Sequence, residues 1–154
     1  MLEVKRYPQV PGLSEAELGE FLARPLLARL STHNGDGTIH TVPIWYEYRE
    51  GEILMSTQMI TQKAKNIERN PQVTVLVDTN EMPYRGVMIY GTAVLDVEDA
   101  VTKRVSIFER YIGKHGEAYA QKLAAKWEPV MIVVRPTRVV SFDYSKGSLV
   151  PNDL

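Results

Sequence analysis

The chain has 154 residues, enough for one well-buried core and too few for two ordinary domains. Its 18 basic and 19 acidic side chains are scattered and leave a formal charge of -1, which argues against a nucleic-acid partner. Cysteine is absent, excluding disulfides, thiolate metal sites and a cysteine nucleophile, so any redox work requires a cofactor.

The opening MLEVKRYPQVPG lacks a signal-peptide core, and nowhere does the chain reach the run of about 18 apolar residues that spans a bilayer. A cytoplasmic protein with no membrane partner is expected. It reads as a single domain over residues 1–154, with an extension over about 1–13 and a tail over about 145–154. Ser14 and Glu17 form a capping box before the apolar stripe Leu18, Phe21 and Leu22, which predicts a helix from Ser14 to Ala23, ended by Pro25. Strands follow over Leu26–Thr32 and Thr38–Tyr48, joined by the turn residues Asn34-Gly35-Asp36-Gly37. Glu50-Gly51 turns the chain into a further strand over Glu52–Thr57. A helix over Gln62–Arg69 stops at Asn70-Pro71.

Val73–Asp78 and Gly86–Val97 read as strands, with Gly91 marking a bulge or a close backbone approach. Asp99 is placed to cap a helix with core positions Val101, Val105, Phe108, Tyr111 and Ile112, ended or kinked by Gly113. Glu117–Lys126 continues as helix, and Val130–Val134 and Arg138–Tyr144 are two last strands split by Pro136. Seven strands in antiparallel hairpins with isolated helices give an α+β, mainly β domain built around a small barrel. No glycine-rich dinucleotide loop is present.

The segment STQMITQKAKNIERNP, residues 56–71, carries the sharpest chemical signal. Lys63 and Lys65 occupy the first turn after Thr61 with no acid before Glu68, the reverse of what a helix macrodipole favours. A bound anion accounts for the inversion: the hydroxyls of Ser56, Thr57 and Thr61, the free N–H groups of the helix start and the Lys63 ammonium together suit a phosphate.

Other constellations are bland. His33, His40 and His115 lack metal spacing, no metal site is expected, and no Gly-x-Ser-x-Gly turn marks a nucleophile. Glu47, Glu50 and Glu52 straddle a hairpin turn, where acids meet water. Lys103, Arg104, Arg110 and Lys114 read as a solvated face opposite the apolar stripe, or as the border of a cofactor with a long anionic tail. Trp45, Tyr46 and Trp127, like Tyr84 and Tyr90, read as core or interface before they read as ring-packing residues.

The order of these pieces resembles a known family. Thr41-Val42-Pro43-Ile44-Trp45-Tyr46, a strand ending in Ser56-Thr57, Thr61-Gln62-Lys63 opening a helix, and Pro83-Tyr84-Arg85-Gly86 leading into a strand are similar to the FMN-binding split barrels related to pyridoxamine 5'-phosphate oxidase. The resemblance covers Leu26–Leu95 best. It implies a split β-barrel with flanking helices and a homodimer with the cofactor between subunits. Thr57, Thr61, Gln62 and Lys63 would hold the cofactor phosphate, Val42–Tyr46 would lie along the flavin ring, and Arg85 and Gly86 would come from the second subunit. It further implies an oxidoreductase passing hydride to or from a small organic substrate, with FMN, the deazaflavin coenzyme F-420 or, in a few relatives, haem as cofactor. No catalytic residue is assigned, since the cofactor carries the redox chemistry. The alternative is a flavin or haem carrier without turnover. Gln62 stands where a pyridoxamine phosphate oxidase has Arg, and the chain lacks that enzyme's carboxy-terminal Arg and His, which argues against pyridoxamine phosphate as the substrate.

Overall fold

The computed structural model describes residues 3–6 and 10–147. Eight strands form one strongly curled sheet: β1 (Val4–Arg6), β2 (Ala28–His33), β3 (Ile39–Ile44), β4 (Tyr46–Arg49), β5 (Glu52–Gln58), β6 (Gln72–Asp78), β7 (Arg85–Asp96) and β8 (Pro129–Asp143). The helices are α1 (Glu15–Leu22), α2 (Gln62–Arg69), α3 (Ala100–Lys103), α4 (Val105–Ile112) and α5 (Gly116–Ala124). Spatial order is β3-β2-β6-β7-β8-β5-β4, antiparallel throughout, with β1 parallel to β8.

The two ends of that order are β3 and β4, which are consecutive in the chain and separated by Trp45 alone. The sheet must therefore curl until its edges meet at Trp45, although β3 and β4 do not pair. That is a barrel with a seam. The interior holds the larger apolar cluster, in which Leu30, Ile53, Met55, Val75, Val77, Val87, Ile132 and Val134 are wholly buried. A second cluster, with Ala100, Ile107, Phe108, Ala120 and Met131 at its centre, packs α3–α5 on the outside of the sheet.

Local sequence accounts for most element ends. Ser14 accepts from Glu17 N while the Glu17 carboxylate accepts from Ser14 N, which completes the capping box of α1. Glu50 and Gly51 both have positive φ, 52° and 79°, the geometry of a two-residue hairpin turn that follows the sheet twist. Gly91 is a bulge: the β7/β8 register shifts between Tyr90 and Gly91, and a Cβ on Gly91 would sit 2.5 Å from the Arg135 carbonyl oxygen.

Four expectations need correction. The last two strands are one, β8, because Pro136 sits opposite Gly91 at the bulge, where a missing N–H interrupts no regular ladder bond. The residues read as an amino-terminal extension contribute β1, whose parallel partner is remote in sequence. The helix expected from Asp99 to Gly113 breaks at Arg104 into α3 and α4, and Asp99 is left-handed with no side-chain capping bond. Trp45 interrupts the strand expected over Thr38–Tyr48. Residues 148–154 of the expected tail lie outside the described residues.

Candidate functional site

The seam opens into a cleft of about 380 Å³ between β5, the β3–β4 crossing, the start of α2 and the faces of α4 and α5. Its origin is a register effect. The last β4–β5 pair is Tyr46 with Met55, so Ser56, Thr57 and Gln58 run on beyond β4 while the chain departs through Trp45.

Thr61 caps α2, its hydroxyl accepting from Ala64 N at 3.5 Å and donating to Gln58 O at 2.8 Å. Thr57 Oγ1 lies 3.2 Å from Thr61 Oγ1, and since Thr61 has one proton, Thr57 is the donor in that pair. Lys63 is half-buried in the cleft wall and has no ion pair among the described residues, and burial holds its pKa below the ordinary lysine value. Ser56 also lines the cleft, its Oγ buried and without a hydrogen-bond partner. No carboxylate lines the cavity. These features fit an anionic group, which would restore the hydration lost by Lys63 and give Ser56 an acceptor.

Of the strand expected along a ring, Pro43, Ile44 and Trp45 line the cleft. Thr41 does not: it is exposed on β3, its hydroxyl 2.9 Å from that of Ser31, and Val42 is half-buried away from the cavity. Tyr46 is core, its hydroxyl directed at the Leu22 and Arg24 carbonyls at 3.0 and 2.9 Å, and burial raises its pKa. Gln62 is exposed and turns along the helix, its Nε2 donating to Asn66 Oδ1 at 2.8 Å. Asn66, wholly buried, donates in turn to Thr32 and Asn34, which ties α2 to the β2–β3 hairpin. Arg85 and Gly86 are not brought to the cleft within one chain. Arg85 lines a separate cavity of about 470 Å³ with Arg24 and Met82, and Gly86 packs so closely on Phe142 that a Cβ would fall 2.5 Å from its ring.

Sequence reasoning missed the far wall, where α4 and α5 contribute Ile107, Phe108, Tyr119 and Leu123. Trp45 stacks on Tyr111 with centroids 4.9 Å apart and 5° between planes, and meets Phe108 edge-on at 5.6 Å. The Tyr111 hydroxyl donates to Leu26 O at 2.6 Å and accepts from Tyr46 N at 3.2 Å, fixing Trp45 at the seam.

The expected solvated face of cations holds at the exposed Lys103 and Lys114 and is corrected at Arg104 and Arg110. Lys103 is paired with Asp96 at 2.7 Å, and Arg110 clamps the carbonyls of Ala23, Arg24 and Tyr46, each at 3.2 Å. Arg104 is wholly buried, its Nη1 donating to Gln58 Oε1 at 3.2 Å and its Nη2 to Ala120 O, with the guanidinium over the Phe108 ring. Its Nε has no partner, no carboxylate is among its contacts, and burial lowers its pKa. A signal existed: Arg104 lies three residues after Val101 and four before Phe108, on the apolar stripe itself.

Trp127, Tyr84 and Tyr90 lie away from the cleft; Trp127 and Tyr84 are exposed and Tyr90 is covered by Arg138. Among the described residues no cluster of His, Asp and Glu can hold a metal ion, and no helix is long and apolar enough to cross a membrane.

A split antiparallel barrel with a polar helix start and an aromatic wall at its seam defines a class of flavin-binding folds. The family model described as pyridoxamine 5'-phosphate oxidase matches residues 14–144, and the chain belongs to that family. A conserved hypothetical protein from Mycobacterium tuberculosis is similar over 98% of this chain and 100% of its own, at 26% identity and a TM-score of 0.78. An F420 reductase matches over 78% of this chain and 93% of its own at 25% identity, TM-score 0.64. The haem storage protein HutZ of Vibrio cholerae shares the fold at 16% identity and TM-score 0.65, over 81% of this chain and 92% of its own. No curated protein matches the chain.

Proposed function

We propose that the chain is an oxidoreductase that binds FMN or the deazaflavin coenzyme in the cleft at its seam and acts on a small organic substrate. The observation that carries this reading is Lys63, half-buried at the start of α2 with no acid near it and with the Thr57 and Thr61 hydroxyls alongside. The likeness to an F420 reductase supports the deazaflavin as strongly as FMN. When bound, the cofactor supplies hydride transfer. Lys63, Ser56 and the free N–H groups at the start of α2 hold its phosphate, and Thr57 turns its proton from Thr61 to the stronger anionic acceptor. Pro43, Ile44 and Trp45 border the ring and exclude water on that side. The active unit is a homodimer in which Arg85 and Gly86 of one subunit complete the cleft of the other. The protein is cytoplasmic.

Titration with FMN tests the reading. Lys63→Ala weakens binding by about 1.5–3 kcal/mol, roughly 10- to 150-fold, the value of a charged hydrogen bond to an anion. Lys103→Ala, which removes a cation already held by Asp96, leaves FMN affinity unchanged. Unaltered affinity in a folded Lys63→Ala protein refutes the phosphate site. A second reading, a carrier of flavin or haem, draws on the lack of any carboxylate in the cleft lining. Bleaching of the bound flavin by a reductant and its recovery with an organic acceptor decides for the oxidoreductase.

A further inference from the structure

Arg104 is wholly buried, and a guanidinium without a carboxylate in that position is costly unless something else answers its charge. Its contacts show where that answer comes from. One arm is held by the Ala120 carbonyl of α5, the Phe108 ring lies beneath the planar group, and the other arm reaches Gln58, which lines the cleft. Guanidinium has only donors, so Gln58 must present its amide oxygen to Arg104, and its NH₂ is thereby turned the other way. On the same face of β5, Ser56 Oγ is buried and unpartnered. The face of the cleft built from β5, α4 and α5 therefore offers donors, backed by a buried positive charge, beside the aromatic side chains of Trp45 and Phe108, which meet edge to face.

We propose that Arg104 is a positioning residue that fixes Gln58 as a donor and makes the cleft selective for a planar substrate bearing an anionic oxygen edge, such as an aromatic carboxylate or an enolate. The selection has two parts. The field of Arg104 favours negative charge in a cavity with no compensating acid. The locked amide rejects a donor-bearing edge, because an N–H directed at the Gln58 NH₂ would be left unpaired in a desolvated wall. The inference rests on the cleft being the ligand site proposed above, and does not depend on the cofactor being a flavin.

Benzoate and benzamidinium, planar rings of the same size and opposite charge, separate these parts. The purified protein, with any flavin it retains, is labelled with 5-fluorotryptophan, and the ¹⁹F resonance of Trp45, identified by loss of the other resonance in Trp127→Phe, is followed during titration. Wild type is expected to bind benzoate at least about tenfold more tightly than benzamidinium, the effect of one charged contact. Arg104→Met lowers the ratio several-fold, since Gln58 is then free to turn and the part of the field due to Arg104 is gone, while Lys63 keeps a residual preference for the anion. Gln58→Glu, which gives Arg104 a carboxylate and removes the amide donor, lowers the ratio further and keeps or raises thermal stability. A purely structural Arg104 would weaken both probes together and leave the ratio intact. Equal affinities in wild type, no benzoate binding, or a ratio indifferent to both substitutions overturns the proposal. Benzoate selectivity without FMN affinity refutes only the flavin reading, whereas FMN affinity with unaltered selectivity in Gln58→Glu refutes only this one.

Discussion

The two faces of β5 have opposite character. Ile53 and Met55 point into the barrel, wholly buried among apolar side chains. Leu54, Ser56 and Gln58 point to the helical layer, where Leu54 joins the second cluster, Ser56 Oγ lacks a partner and Gln58 is held by a buried cation. One strand thus separates an apolar interior from a region that leaves donors and charge for something else. Native interiors tolerate few unsatisfied polar groups, so Ser56 Oγ in the wall of the cleft, with the Arg104 Nε behind Gln58, marks it as a place where a ligand contributes to the structure, whereas His40 Nδ1 is a third such atom away from it.

The comparison is sharpest in a substitution on the inner face. Met55→Ala removes a wholly buried side chain from the barrel centre and is expected to cost about 2–5 kcal/mol, lowering Tm by on the order of 5–15 °C for a chain of this size. Ligand affinity in the folded fraction should hold. A loss below about 1 kcal/mol in chemical denaturation would mean that the interior is loosely packed and that the contrast between the faces fails.

Lys63 gives the next largest effect, read through pH. Burial lowers its folded-state pKa, so the folded protein gives up this proton before the unfolded chain does. The sign follows: burial of the charged amine opposes folding at and below the folded-state pKa, and that penalty is relieved as pH rises through the depressed pKa toward the ordinary value near 10.5. Anion binding runs the other way. FMN affinity is expected to fall as pH rises through that window, approaching the affinity of Lys63→Ala, about 1.5–3 kcal/mol weaker. A pH profile of FMN binding that is the same for wild type and Lys63→Ala would detach Lys63 from the ligand.

How far these regions could be read from sequence depends on the range of the forces that made them. The helix Gln62–Arg69, the capping box at Ser14, the Glu50-Gly51 turn and the bulge at Gly91 are set by neighbours in the chain, and each stands where local chemistry puts it. The start of the cleft was legible for the same reason, because a cation at a helix start is a local anomaly. Pairing of β1 with β8 joins residues more than a hundred positions apart, and no local pattern encodes it. Likewise Phe108 and Tyr119 reach the cleft only because α4 and α5 dock on β5 and β8, a tertiary event. Arg104 was misread because a charge on a helix reads first as solvent-facing, whereas its place on the apolar stripe turns the guanidinium inward to the Ala120 carbonyl of another helix, a tertiary partner. Pro136 misled in the opposite direction, since a proline reads as a strand end until the bulge facing it is known.

The smallest expected effect belongs to the outer face of β5, and it discriminates best. Ser56 pairs through its backbone with Met131 in β8, and that ladder is indifferent to the side chain. Its hydroxyl is buried without a partner, so Ser56→Ala removes a desolvated polar atom and one oxygen's volume together. The two consequences oppose each other: relief of the unsatisfied group stabilises by at most about 1–2 kcal/mol, and the small cavity offsets part of it. Unfolding in urea should therefore show a change between zero and about 1 kcal/mol in favour of the variant, in contrast to Met55→Ala one residue away. With ligand present the order reverses, because the wild-type hydroxyl then gains its acceptor and the variant has none to offer. A variant destabilised without ligand by more than about 1 kcal/mol would show that Ser56 already has a partner in the fold, and the reserve of unsatisfied donors along the cleft would shrink to Lys63 and the Arg104–Gln58 pair.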